Sequence, residues 1–365
     1  MVAFTQHFDT RPDTLSKPCL DVRQLSVAFP SDQGLVQAVA EVSFQIQAGK
    51  TTALVGESGS GKSVTSLSLM RLLAKTANTQ VQGQAFYTNA QGVSQDLLRV
   101  PEAQMRSIRG NEVAMIFQEP MTSLNPVFTV GEQIAESLRW HKKLDRASAL
   151  AQALRMLELV EIPAAAQRIK EYPHQLSGGM RQRVMIAIAM ACSPRLLIAD
   201  EPTTALDVTI QAQILALLGR LQTQTGMSML FITHNLGVVA HHAHDVAVMY
   251  AGRIVESAPV QNLFAQPQHH YTQGLLNCLP SRQRLQRGTG EDNIRNQRRL
   301  YAIRGQVSSP LAPPPGCAFA PRCDGAVAAC EVAMPPLQHS SDRRSLRCIA
   351  PVVHAPSMAL IKGSA

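Results

Sequence analysis

Residues 51–63 restrict the fold more tightly than any other stretch of the chain. Thr51-Thr52-Ala53-Leu54-Val55 reads as a short strand. It runs straight into Gly56-Glu57-Ser58-Gly59-Ser60-Gly61-Lys62-Ser63, which matches every fixed position of the phosphate-binding loop pattern. Gly59 and Gly61 let the backbone curl until its N–H groups point inward at phosphate oxygens. The helix predicted from Lys62 adds the positive end of its dipole. Lys62 supplies a point charge for the β- and γ-phosphates, and Ser63 a hydroxyl for magnesium. Gly56, Glu57, Ser58, Ser60 and Val64 complete the expected nucleotide contacts. The plain alternative is a chance glycine-rich turn, but the strand-turn-helix setting is what the motif requires.

A second strand ends on chemistry. Leu196-Leu197-Ile198-Ala199 is continuously apolar and delivers Asp200 and Glu201 at its C-terminal tip, where ligands collect in open α/β sheets. Asp200 is expected to hold magnesium and Glu201 to polarise the attacking water. Two adjacent acids are weak alone and become specific beside a phosphate loop.

Alternation predicts strands over Leu20–Phe29 and Val42–Ile46, and apolar runs predict further ones at Val113–Phe117, Met229–Ile232 and within Asp245–Val255. A helix is expected from Lys62 to about Leu73. Between Thr129 and Val160, Leu150, Leu154 and Leu157 recur at helical spacing. The expected fold is therefore α/β: a phosphate-loop core with a helical insertion. The predicted division is a tail (1–19), a nucleotide-binding domain (20–265), a cysteine-rich extension (266–350) and a second tail (351–365). No apolar run approaches the eighteen or so residues of a spanning helix, and Met1 to Lys17 lacks the apolar core of a signal peptide. A cytoplasmic location is expected. The formal charge of +8 raises the question of nucleic acid, but much of the excess lies in Arg282–Arg304, where no aromatic precedes Tyr301. A solvated linker is the plainer reading, and no direct nucleic-acid contact is expected.

Leu176-Ser177-Gly178-Gly179-Met180-Arg181-Gln182-Arg183 narrows the class further. It resembles the signature of ATP-binding-cassette (ABC) ATPases, and the remaining landmarks follow in that family's order. The resemblance implies that Phe29 stacks on adenine and that Gln118 links magnesium to the transport channel. It makes Ala205-Leu206-Asp207 the D-loop and His234 the switch histidine. It adds an antiparallel β subdomain to the core. Ser177, Gly178, Gly179 and Gln182 would then meet the ATP of a second cassette, two nucleotides being sandwiched between two subunits. Each landmark has a bland counterpart, since Phe29 could be a core aromatic and a histidine at a strand end is usually structural. The ordered set favours the functional readings.

Cys317, Cys323, Cys330 and Cys348 crowd into the last fifty residues. Their gaps are wider than usual zinc pairs and do not match common ferredoxin spacings, so spacing alone names no metal. Gly316-Cys317-Ala318-Phe319-Ala320-Pro321-Arg322-Cys323 and Tyr271-Thr272 resemble the C-terminal extension of oligopeptide, dipeptide and nickel importer ATPases. Some members of that branch carry a 4Fe-4S cluster on four such cysteines; zinc and plain buried thiols stay open. Where the branch usually has His-Pro-Tyr, this chain has His269-His270-Tyr271. The resemblance implies an ATPase at the cytoplasmic face of the inner membrane. Its partners would be two transmembrane permease subunits, a second ATPase subunit and an extracytoplasmic substrate-binding protein. Peptides are the expected cargo, with nickel, glutathione or an antimicrobial peptide as alternatives. A soluble ABC ATPase acting on nucleic acid or the ribosome is the rival from another class.

Overall fold

The computed structural model describes residues 17–32, 34–73, 78–119, 123–204, 206–279 and 301–353. The tail residues 1–16 and 354–365, Ala205 of the expected D-loop, and residues 282–300 of the basic stretch lie outside these.

Strands β1 (Leu20–Ser31) and β2 (Gly34–Ile46) form an antiparallel hairpin with Phe29 paired to Val36. Strand β2 begins at Gly34, well before the expected Val42. Strand β3 (Thr51–Val55) is buried at every position and feeds α1 (Lys62–Leu69). That helix stops short of the expected Leu73. Arg71 takes a left-handed φ of 51°, and its guanidinium is drawn away to the Val100 carbonyl and to Glu102. Strands β4 (Gln80–Thr88) and β5 (Ser94–Asp96) complete a four-stranded antiparallel sheet in the order β2-β1-β4-β5. Sequence reading missed both, because the first half of β4 is glutamine-rich and exposed.

Helix α2 (Glu102–Ile108) leads to β6 (Val113–Ile116). The expected helical block divides into α3 (Val130–Lys142) and α4 (Arg146–Leu159), and the short α5 (Ala165–Arg168) follows beyond its expected end at Val160. Thr129 and Asp145 cap the first two by accepting amide hydrogens. Ile134, Ala135 and Leu138 on α3 and Ala149, Ala153 and Leu157 on α4 bury one stripe of each helix. There follow α6 (Gly178–Met190), β7 (Leu196–Asp200), α7 (Val208–Thr225), β8 (Ser228–Thr233) and α8 (Leu236–His242). Strands β9 (Asp245–Tyr250) and β10 (Arg253–Pro259) then form a hairpin.

Strands β6, β7, β8, β3 and β9 lie side by side in parallel, so the tips of β3, β7 and β8 converge on one edge. One apolar core packs the helices against this sheet, and a second fills the space between the two sheets.

The C-terminal part holds α9 (Val260–Ala265), α10 (His270–Asn277), α11 (Ala329–Val332) and the strands β11 (Gln338–His339) and β12 (Ser345–Leu346). These strands extend the main sheet, with β12 antiparallel to β10. Arg344 and Glu256 form a buried ion pair at 2.5 Å, their side chains 5% and 0% exposed. Glu256 also accepts the amides of Gln268 and His269. Removing one partner of such a pair costs about 3–5 kcal/mol, so this contact holds the extension firmly to the sheet. The altered His-His-Tyr turn still starts a helix. His269 caps α10 through its ring Nδ1, and His270 Nε2–H donates to the Ala350 carbonyl at 2.9 Å.

Candidate active site

The loop between β3 and α1 closes around the Lys62 ammonium. Lys62 donates to the Gly56 and Glu57 carbonyls, both at 2.9 Å, and is 5% exposed. Burial pushes its pKa below the usual lysine value, while Glu201, Asp200 and Glu57 pull the other way. The curl demands glycine at two places. Gly61 has φ 96°, and a Cβ there would lie 2.5 Å from the Ala38 carbonyl oxygen. At Gly56 a Cβ would lie 2.2 Å from the Met249 carbonyl oxygen. Ser58 and Gly59 are exposed, Ser60 is buried, and Val64 packs against the inter-sheet core. Phe29 is half-buried against that same core. It pairs with Val36, close in β2 to Ala38, which touches the loop at Gly61.

The carboxylates arrive on the neighbouring strand. Ser63 Oγ and Ser66 Oγ each donate to Asp200 at 3.2 Å. Burial pushes the Asp200 pKa up, a cost that a bound cation offsets. Ser63, Asp200 and the Gln118 amide are hard oxygen donors of the kind magnesium takes. Glu201 follows the strand with a left-handed φ of 44°, a conformation that costs a non-glycine residue about 1–3 kcal/mol. Gln118 Nε2 donates to its carboxylate at 3.3 Å, Thr204 Oγ1 at 2.9 Å, and His234 Nδ1 lies 3.3 Å away. The loop with Lys62 and Ser63, the carboxylates of Asp200 and Glu201, Gln118 and His234 therefore meet at one edge of the sheet.

The signature lies elsewhere. Ser177 caps α6 by accepting the Met180 amide at 3.3 Å. Ser177 and Gly178 are exposed, and a Cβ on Gly179 would lie 2.9 Å from Ile210 Cγ2. Among the described residues, no hydrogen bond or ion pair joins Ser177, Gly178 or Gly179 to residues 56–63. Gln182 departs from expectation: it is 1% exposed with its amide nitrogen unpartnered, because its helical position faces the core. Asp207 caps α7, accepting the Ile210 amide at 2.9 Å.

The four C-terminal cysteines are free thiols. The Cys317 amide donates to the Cys330 carbonyl at 2.7 Å. Burial, with smaller contributions from Cys317, Cys323 and Cys330, pushes the Cys348 pKa up to about 11. Yet among the described residues no group of three or more His, Cys, Asp or Glu side chains is arranged as metal ligands.

Sequence reading missed several partners. Thr204 and Ser66 hold the two carboxylates. Arg322 and Tyr271, noted only as landmarks of the extension, contact the phosphate loop itself: the Glu57 amide donates to Tyr271 Oη, and Arg322 grips the Glu57 carboxylate. No local pattern signals a contact across 265 residues.

Comparison with known proteins finds two family matches along the chain. Residues 39–204 match the ABC transporter family model, and residues 255–330 match that of the oligopeptide/dipeptide transporter C-terminal region. A putative peptide import ATP-binding protein of Brucella melitensis is 53% identical over 91% of this chain and 97% of its own. The dipeptide transport ATP-binding protein DppD of Bacillus subtilis is 48% identical over 90% of this chain and 93% of its own. A solved dimeric ATP-binding cassette bound to ADP and Pi superposes with a TM-score of 0.58 at 23% identity, over 66% of this chain and 98% of that one, a likeness of fold.

Proposed function

The chain belongs to the ATP-binding subunits of ABC transporters, and we propose that it is the motor for peptide import across the cytoplasmic membrane. It is an ATPase coupled to transport. The observation that carries the mechanism is the meeting of Lys62, Ser63, Asp200, Glu201, Gln118 and His234 on one sheet edge. In this reading the loop amides and Lys62 hold the β- and γ-phosphates, and Phe29 lies against the adenine. Magnesium, when bound, supplies positive charge at the phosphate oxygens, and Ser63, Asp200 and Gln118 are the residues to hold it. Glu201 orients the attacking water and accepts its proton. Gln118, Thr204 and His234 hold the Glu201 carboxylate in place.

The exposed Ser177 and Gly178, unconnected to the chain's own loop, support a site completed by a second cassette. There the α6 N-terminus faces the partner's γ-phosphate. The buried Gln182 takes no part. ATP closes the pair, and hydrolysis removes the phosphate that holds it shut. Two permease subunits receive the stroke near Gln118 and the helical insertion, and an extracytoplasmic binding protein delivers cargo. Among the described residues no helix is long and apolar enough to cross a membrane, which accords with a peripheral place on the cytoplasmic face.

Cys317, Cys323, Cys330 and Cys348 form the proposed thiolate set of a 4Fe-4S cluster. The soft sulfur donors suit it, although among the described residues the four thiols are not grouped as metal ligands. Such a group would clamp the extension.

Uptake of a labelled dipeptide by cells expressing the complete transporter tests the cargo. Uptake is expected with the wild-type chain and lost with Lys62→Ala. Wild-type cells that ignore peptides but take up nickel or glutathione would reassign it.

A further inference from the structure

The phosphate loop carries an acid whose partner comes from the opposite end of the chain. Arg322 Nη1 lies 2.8 Å from Glu57 Oε2, and Nη2 lies 3.1 Å from Oε1, a two-pronged pair with the arginine side chain only 6% exposed. Several contacts fix the arginine before it reaches the loop. Its Nε donates to the Arg304 carbonyl at 2.8 Å, and its Nη1 lies 3.3 Å from Tyr250 Oη. The charge sits 5.7 Å from the centre of the Tyr250 ring and 5.8 Å from that of Phe319. Arg322 closes the 3-10 turn Ala320–Arg322, between Cys317 and Cys323.

We propose that Arg322 is a positioning residue of the ATP site: it neutralises Glu57 and holds the loop in its phosphate-binding shape. The inference rests on the loop being the nucleotide site, as read above. A carboxylate beside a triphosphate repels it. Glu57 is also close enough to act on the Lys62 ammonium, and its carbonyl is one of that ammonium's acceptors. A bidentate guanidinium cancels the charge and fixes the carboxylate's direction at once, which lysine cannot do as well. The Tyr271 hydroxyl, accepting the Glu57 amide at 2.9 Å, braces the same residue from α10. The ATP loop is thus shaped partly by the C-terminal extension.

The test measures the affinity of a fluorescent ATP analogue for the assembled transporter, together with thermal unfolding. Arg322→Gln should weaken binding about tenfold, because it leaves an unpaired carboxylate at the phosphates. Adding Glu57→Gln to Arg322→Gln should restore affinity to within about threefold of wild type, since no charge remains to repel. An arginine serving only to fold the extension gives another pattern: a lowered unfolding temperature with unchanged affinity, or a double variant as weak as Arg322→Gln. Either result overturns the proposal. Should Arg322→Gln not fold, the swapped pair E57R/R322E carries the test, and binding about tenfold below wild type in that folded variant refutes the pairing. Lys62→Ala is the control. If it binds nucleotide normally, the reading of the loop fails rather than the role of Arg322.

Discussion

His269 is 2% exposed, and its ring Nδ1 accepts the Tyr271 amide at 3.1 Å. Burial pushes its pKa down to about 3. An unfolded imidazole titrates near 6.5, so on acidification the unfolded chain takes up the proton first. The stability it contributes is complete above about pH 6.5 and is lost progressively as pH falls towards 3. His269→Asn keeps an acceptor at the cap. Between about pH 7.5 and 5.5 the wild type should lose more thermal stability than this variant. Equal losses would remove His269 from the acid response. Residues of this kind mark the limit of sequence reading. Gly61 is legible because one glycine in a fixed pattern must accept a positive φ. Arg322 is not legible, because nothing near it in the chain names Glu57 as its partner.

Among the elements, those most readable from sequence are the ones buried on both faces. Strands β3, β7 and β8 are continuous apolar runs with polar ends, and the parallel sheet follows from them. The strands missed, β4 and β5, turn exposed glutamines and short polar runs to solvent, so alternation fails there. The placement of β12 beside β10 was equally hidden, since its anchor Arg344–Glu256 spans 88 residues. The cysteine turn is an element whose chemistry is directly measurable. Anaerobically purified protein should be brown, with about four irons and matching sulfide per chain, and Cys323→Ser should lose both. A colourless protein, or one holding zinc, would withdraw the cluster while leaving the ATPase core untouched.

For the whole molecule, two bodies of sequence far apart converge on one loop. The parallel sheet brings Lys62 and Glu201 to a common edge, and the extension folds back to brace that edge from behind through Tyr271 and Arg322. The signature at Ser177 is exposed and, among the described residues, makes no hydrogen bond to that edge, which suits a site completed by a second cassette. All three features serve one reaction, in which Glu201 accepts the proton of a water attacking ATP held by the phosphate loop. Side-by-side measurement of ATP binding and hydrolysis by the assembled transporter, wild type against Glu201→Gln, tests it most directly. The variant should bind ATP as tightly as wild type but hydrolyse it at least about a hundredfold more slowly. Hydrolysis at the wild-type rate in the variant would contradict this role of Glu201.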